Sequence, residues 1–305
     1  MNRIGIVVVT YNSEREIGRC LDALPAGLPV VVVDNASIDG ARREVAARPA
    51  VALIANPWNR GFAAAANQGI AALDTELALL LNPDVELASG LDALAAQCEL
   101  PGVAAAGGKL IGADGQPQAG FMVRRLPTAG ALAFEVLGLN RLFPGNPVNR
   151  RYRCHDLDPE AEAPVEQPAG AFLMIRREVW RELGGFDESF FPVWFEDVDF
   201  ARRAAAAGYT LRYTPMTVAK HSGGHSVGQL RRSTRDRHWY GNLLMYAVKH
   251  FTRSQVALVG VSVVLGSFLR AVLALFGKDR LEAIAGYGRI MRLAGVLLCS
   301  GRLQM

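Results

Sequence analysis

Residues 4–12 read IGIVVVTYN: an apolar run dominated by Ile and Val, closed by three polar residues. Two later stretches repeat the pattern. VVVDNAS (31–37) ends its run in Asp34-Asn35, and LLLNPDV (79–85) ends in Asn82-Pro83-Asp84. Continuous apolar runs rich in β-branched residues mark strands buried on both faces. Strands are therefore expected over 4–9, 30–33, 51–54, 77–81 and 103–106. Helical patterns separate them. Ser13 stands as N-cap with Glu16 completing a capping box before Ile17, Leu21 and Leu24, and an alanine-rich helix is expected over 62–72. This alternation predicts an α/β layered fold with a mostly parallel sheet. Ligands in such sheets bind beyond the carboxyl ends of the strands, where Thr10, Tyr11, Asp34, Asn35, Asn82 and Asp84 fall.

Outward from this frame the pattern changes. Residues 112–168 are rich in Gly, Pro, Arg and Asn around an apolar patch at 129–139, and read as a loop-dominated insertion on the acceptor side. A strand over 170–176 and a helix over 177–183 follow, ended by Gly184-Gly185. A helix over 200–207 is introduced by Glu196-Asp197-Val198-Asp199, acids that suit a helix N-terminus. Short strands are expected over 210–213 and 217–220, and helices from Gly228 to the end.

Composition narrows the class. Of 305 residues, 50% are hydrophobic, enough for a substantial core and against a disordered chain. Cys20, Cys98, Cys154 and Cys299 show neither disulfide-framework nor zinc spacing. The opening apolar run is too short for a signal peptide and lacks a cleavage site, so the body of the chain is expected in the cytoplasm. From Lys220 onward stand 13 Lys/Arg against 3 Asp/Glu, leaving an acidic body and a basic tail. Such a tail suits an anionic partner. No recognition motif for nucleic acid accompanies it.

Two constellations carry chemistry. Asp84, a lone acid beyond an apolar strand, suits an oxygen ligand for Mg²⁺ or Mn²⁺. His221 and His225, in the Gly-rich stretch HSGGHS (221–226), suit a metal or phosphate site. The acids at 196–199 offer a general base for a hydroxyl nucleophile, alongside their plain role at a helix start. Sugar transfer from a nucleotide diphosphate needs both parts, since the leaving diphosphate gains charge and the attacking hydroxyl must lose a proton.

The segments VVVTYN (7–12), VVVDNAS (31–37), NRGFAAAANQGI (59–70), LLLNPDV (79–85), GAFLMIRREVWRELGGFDESFF (170–191), EDVDFARRAAAAGY (196–209) and HSGGHS (221–226) stand in the order of a known family. The chain resembles the large inverting family-2 glycosyltransferases of GT-A fold, and within them the rhamnosyltransferase-like branch of bacterial polysaccharide enzymes. The resemblance implies that Thr10 and Tyr11 flank the base of the donor nucleotide and that Asp34, with Asn35 beside it, binds that base. It places Arg60, Gly61 and Asn67 in the segment covering nucleotide and ribose. Asn82 and Asp84 occupy the metal-binding Asp-x-Asp element, with an amide in place of its first acid. Asp197 matches the catalytic base, Glu196, Gly170 and Ala171 line the acceptor side, and His221 lies near metal and diphosphate. Fewer charged ligands mean weaker metal binding, so the cation is expected to arrive with the donor.

The expected organisation is a GT-A domain over 1–227, with a nucleotide-binding half to about 110 and an acceptor half beyond it. A basic, apolar helical segment covers 228–305. The aromatic residues Trp239, Tyr240, Tyr246 and Phe251 interleave with Arg231–Arg237, Lys249 and Arg253, which suits a membrane interface. Residues 256–269 reach only about 21 Å, short of a roughly 30 Å hydrocarbon core. A helical hairpin lying on the inner face of the plasma membrane is favoured over true spans. Packing onto the domain or in a homo-oligomer is the alternative. The expected partners are a nucleotide diphosphate sugar and a glycan or polyprenyl-diphosphate-linked acceptor. A sugar nucleotidyltransferase would carry a Gly-rich basic loop where Thr10-Tyr11-Asn12 stand, and a catalytically dead scaffold would not keep Asp34, Asp84, Asp197 and His221 together.

Overall fold

A computed structural model describes residues 3–223, 231–277, 280–301 and 303. Its strands and helices are, in chain order, β1 (Ile4–Thr10), α1 (Glu14–Asp22), β2 (Val30–Asp34), α2 (Ala41–Ala46), β3 (Val51–Ala55), α3 (Phe62–Ala72), β4 (Leu77–Leu81), β5 (Val85–Leu87), α4 (Asp92–Glu99), β6 (Val103–Ile111), β7 (Val123–Arg124), α5 (Ala129–Leu137), α6 (Leu139–Leu142) and α7 (Pro147–Tyr152). They continue with β8 (Ala163–Val165), β9 (Gln167–Pro168), β10 (Phe172–Arg176), α8 (Arg177–Glu182), α9 (Glu196–Ala206), β11 (Thr210–His221), α10 (Arg232–His250), α11 (Arg253–Ala274) and α12 (Arg280–Ser300).

The chain divides into two compact units. The first holds the described residues of Met1–Leu126, Arg153–Pro192 and Glu196–Ser226. Its main sheet runs β3-β2-β1-β4-β10-β6-β11-β5, with β8 paired to β11. The four strands from β3 to β4 are mutually parallel, and β6 and β11 are parallel to each other; β10 enters between β4 and β6 in the opposite direction. This is the α/β class read from the apolar runs. Alternate residues of β1 explain why those runs are unbroken. Ile4, Ile6 and Val8 belong to one core cluster with residues of α1, α2 and α4, while Val7 and Val9 belong to a second with residues of α3, α8 and α9. Every β1 and β4 residue is buried, so both faces select apolar side chains.

Several local readings change. Ser13 does start α1, and its carbonyl accepts the amides of Glu16 (3.1 Å) and Ile17 (2.9 Å). However, its side chain makes no capping bond; the hydroxyl donates to the Tyr11 carbonyl at 3.3 Å. Asp39, from the loop after β2, instead accepts the Glu14 amide at 2.9 Å. The two short strands expected around Pro215 form one strand, β11, with its register slipped between Thr214 and Val218. Proline cannot donate to the ladder, so the strand bulges there instead of ending. The stretch 112–168, read as loop, holds β7, α5, α6, α7, β8 and β9. Signals for α5 stood in the sequence: the Thr128 hydroxyl accepts the Ala131 amide at 3.1 Å, and Gly138 closes the helix at φ 79°.

The second unit holds Pro127–Tyr152, Val193–Phe195 and the described residues of Val227–Met305. Here α11 packs on α5, α10 and α12. Its buried stripe is Val259, Gly260, Ser262, Val263, Gly266 and Ser267. A Cβ on Gly266 would stand 2.1 Å from the Val136 carbonyl oxygen, so only glycine allows this approach of α5. Arg270 turns inward, donating to the Val136 and Gly266 carbonyls. The opposite face of α11 exposes Leu258, Val261, Leu265, Phe268, Leu269, Val272 and Leu273.

Candidate active site

The strand ends of the first unit gather the polar residues singled out in the sequence. Thr10 and Asp34 are register partners at the ends of β1 and β2, both fully buried. The Asn35 amide donates to the Thr10 carbonyl at 2.8 Å. Asp34 Oδ1 accepts the Ser37 amide at 3.1 Å and a close bond from Arg42 Nε. Its Oδ2 and the Thr10 Oγ1 are buried with no hydrogen-bond partner among the described residues. Buried polar atoms of this kind are rare because each costs roughly 1–3 kcal/mol of lost solvation. Tyr11 is half-buried beside them.

Asn35 ties this corner to the segment before α3. Its Nδ2 donates to Asn59 Oδ1 (2.9 Å) and the Gly61 carbonyl (3.1 Å), and its Oδ1 accepts the Arg60 amide (2.9 Å) and Asn56 Nδ2 (3.2 Å). Gly61 sits at φ 84°, where a Cβ would stand 2.9 Å from the Phe191 ring. The Arg60 side chain is exposed. Asn67 is occupied otherwise. Its Oδ1 accepts the Phe186 amide (2.8 Å) and Trp180 Nε1 (3.2 Å), and its Nδ2 donates to the Phe186 carbonyl (2.8 Å) and Glu188 (3.1 Å). It thereby holds the turn after α8.

Beyond β4, Asn82 and Asp84 lead into β5, which pairs antiparallel with the end of β11 and so sets Val85 opposite His221. His221 Nε2 lies 3.6 Å from Asp84 Oδ2, too far for a hydrogen bond. Gln118 orients the ring. Its Nε2 donates to the His221 carbonyl at 3.0 Å, which turns its Oε1 to His221 Nδ1 at 2.8 Å. An amide oxygen only accepts, so Nδ1 carries the proton and Nε2 presents its lone pair toward the carboxylate. Burial lowers the imidazole's pKa below the ordinary histidine value, against the pull of Asp84. Phe121 stacks on it at 4.9 Å. A carboxylate oxygen and an imidazole nitrogen facing each other, with the far nitrogen fixed by an outer partner, suit a divalent cation. No group of three or more metal-ligating side chains occurs among the described residues. His225 lies outside the described residues.

Asp197 stands at the start of α9, half-buried, over the Gly170 backbone. Its Oδ2 accepts the Gly170 amide (3.0 Å) and Gln167 Nε2 (3.1 Å), and its Oδ1 accepts the Val198 amide (2.8 Å). Burial pushes its pKa above the ordinary carboxylate value, outweighing the Gly170 and Val198 amides and the Arg124 charge. A Cβ on Gly170 would come 3.0 Å from Asp197 Cβ, so a side chain there would press on the acid. The next residue, Ala171, is buried and accepts the Asn82 amide at 3.0 Å, linking the two clusters. Glu196 is buried. Asp199 is paired with Arg203 at 2.7 Å, and Arg203 also donates to the carbonyls of Leu183 and Gly185. Of the three acids in this run, Asp197 is the one anchored on both carboxylate oxygens by neutral donors, whereas Asp199 is closed by a cation. Gln118 and Gln167 had no local signal and are found only through long-range contacts, whereas Arg42 meets Asp34 from 8 positions on.

A nine-stranded mixed sheet thus gathers at its strand ends a buried acid, an acid–histidine pair and an anchored carboxylate. Residues 5–182 match Glycosyl transferase family 2, and residues 160–300 match Glycosyl transferase family group 2. The chain is 30% identical over 265 residues to N-acetylglucosaminyl-diphospho-decaprenol L-rhamnosyltransferase of Mycobacterium tuberculosis, covering 80% of this chain and 84% of that protein. The protein belongs to glycosyl transferase family 2 and is a glycosyltransferase. The GT-A fold is shared with the mannosyltransferase PcManGT of Pyrobaculum calidifontis, solved with GDP-Man and Mn²⁺ (TM-score 0.53, 18% identity, 98% of this chain and 79% of that one). It is shared also with GalNAc-T7, solved with UDP, GalNAc and Mn²⁺ (TM-score 0.58, 13% identity, 98% and 57%).

Proposed function

We propose that this enzyme moves one sugar, with inversion, from a nucleotide diphosphate donor to a hydroxyl of a glycan or polyprenyl-diphosphate-linked acceptor in cell-surface polysaccharide biosynthesis. The favoured donor is dTDP-L-rhamnose, by the likeness to the mycobacterial rhamnosyltransferase. One observation carries the reading. The last residues of β1, β2 and β11, the segment after β4, and Gly170-Ala171 before the opposed β10 bring the Thr10–Asp34 pair, the Asp84–His221 pair and Asp197 to one end of the strands.

Each pair has a part in the chemistry. Asp34 Oδ2 and Thr10 Oγ1 receive the donor's base, with Tyr11 flanking it, and the Asn35-braced segment carries Arg60 and Gly61 over the nucleotide. Asp84 and His221 would hold Mg²⁺ or Mn²⁺, with Asn82 beside them as a neutral oxygen donor. The cation supplies charge stabilisation for the leaving diphosphate. Asp197 takes the proton of the acceptor hydroxyl as that oxygen attacks the anomeric carbon from the face opposite the diphosphate. A single in-line displacement inverts that centre. Glu196, Gly170 and Ala171 shape the acceptor side. Asp34→Asn is expected to weaken dTDP binding roughly 10–100-fold, the worth of a hydrogen bond to a charged group. Calorimetric titration checks this, and an unchanged Kd would remove the base contact.

Residues 1–227 are assigned to catalysis and 228–305 to attachment at the cytoplasmic face of the membrane. A water-soluble helix hides its large apolar side chains, whereas α11 buries two valines among glycines and serines and exposes its leucines and phenylalanine. Arg270, the charge that would weigh against lipid contact, is turned inward. Exposed Arg289 and Arg292 on α12 favour the interface over a full crossing. The doubly charged variant Leu265→Asp with Phe268→Asp is expected to lose most flotation with phosphatidylglycerol vesicles, since each buried side chain contributes about 1.5–3 kcal/mol. Equal flotation of variant and wild type would contradict this attachment.

A further inference from the structure

We propose that Gln167 is a positioning residue for the transfer reaction: its buried amide fixes the Oδ2 edge of Asp197 and so holds the carboxylate in the orientation that receives the acceptor's proton. The inference rests on the reading of Asp197 as the base. Gln167 lies on β9, which pairs with β7 in a two-stranded ribbon outside the main sheet. It is 5% exposed, an unusual place for an amide unless it has specific work. Its Nε2 donates to Asp197 Oδ2 at 3.1 Å and, at 3.3 Å, to the carbonyl of Pro168. The Gly170 amide supplies the second donor to the same oxygen. Two donors converging on Oδ2, with Val198 on Oδ1, leave the carboxylate little freedom to rotate.

The ribbon itself is held in place. A Cβ on Gly107 would stand 2.6 Å from Pro168 Cβ, so the bare backbone of β6 lets β9 lie close against it. Across the ribbon, Gln167 is register partner of Arg124, whose Nε donates to the Gly120 carbonyl at 2.8 Å and whose charge acts on Asp197. The packed elements contribute few other charges. On α9, Glu196 adjoins Asp197 and Asp199 is bound to Arg203. On β11, Arg212 turns to Gln97 and Tyr213 donates to the Pro159 carbonyl at 2.8 Å. Gln167 is therefore a neutral side-chain donor to Asp197, beside the two backbone amides. It orients the acid without the strong bias toward ionisation that a second cation would bring, which suits a group that must accept a proton and then release it.

The test is a direct titration of Asp197 in the full chain in detergent, by carboxyl ¹³C NMR, with the signal assigned by its loss in Asp197→Asn. Gln167→Leu removes the donor to the ionised form and is expected to raise the Asp197 midpoint by about one pH unit. Gln167→Glu places a second acid at the same spot and should raise it further. Gln167→Asn, one methylene shorter, should fall between wild type and Gln167→Leu. Circular dichroism matching wild type shows that each variant folds. Unshifted midpoints in folded Gln167→Leu and Gln167→Glu would overturn the inference. The base assignment fails by a different result, full turnover in Asp197→Asn, so the two are distinguishable.

Discussion

Asp197→Asn is expected to lower kcat about 10²–10⁴-fold while leaving nucleotide affinity near wild type. The substitution keeps the shape of the side chain and an oxygen for the Gly170 and Gln167 donors, but removes the capacity to accept the acceptor's proton. Steady-state turnover and calorimetric binding, run side by side, check the split. The pH dependence follows from the same group. Burial raises the Asp197 pKa above the ordinary carboxylate value. The base works only when ionised, so turnover falls as pH drops through this raised pKa and levels off above it. That acid limb should vanish in Asp197→Asn. Near-normal turnover in the variant would sink the assignment.

Asp84→Ala carries the second large effect. Removing the one acid of the Asp84–His221 pair leaves the imidazole alone, and half-saturation by Mn²⁺ should rise by more than the roughly 10–100-fold typical of losing an outer partner. Gln118→Leu supplies that comparison. It frees the His221 ring without touching either ligand, and should cost about 10–100-fold in metal affinity. Titration of activity against Mn²⁺ reads both. An unchanged metal requirement in Asp84→Ala would show that the cation is held elsewhere.

The frame was legible because burial on both faces keeps β1, β2 and β4 apolar up to Thr10, Asp34 and the end of β4. The polar residues that end these runs therefore stood out, and they gather at one end of the strands. What escaped was set by distance along the chain. Gln118 meets His221 across 103 positions, and Gln167 meets Asp197 across 30. Neither leaves a periodic trace. The ribbon strands β7 and β9 have two residues each, too short for any alternation to register. Bonding partners also decide between like residues. Asp197 and Asp199 look equivalent in the sequence, but Arg203 closes on Asp199. Asn67 sits in the segment that the resemblance assigns to the nucleotide, and its amide serves the turn at Phe186.

The proposed transfer of a sugar from a nucleotide diphosphate with inversion leaves its record at the anomeric carbon of the product. The most direct measurement is proton NMR of the glycosidic product formed from dTDP-L-rhamnose and a polyprenyl-diphosphate-linked N-acetylglucosamine acceptor, with Mn²⁺ present. Wild type should form a new glycosidic bond whose anomeric configuration is opposite to the donor's, and Asp197→Asn should not. A product that retains the donor's configuration, or no transfer from dTDP-L-rhamnose or any other nucleotide diphosphate sugar, would contradict the proposed reaction.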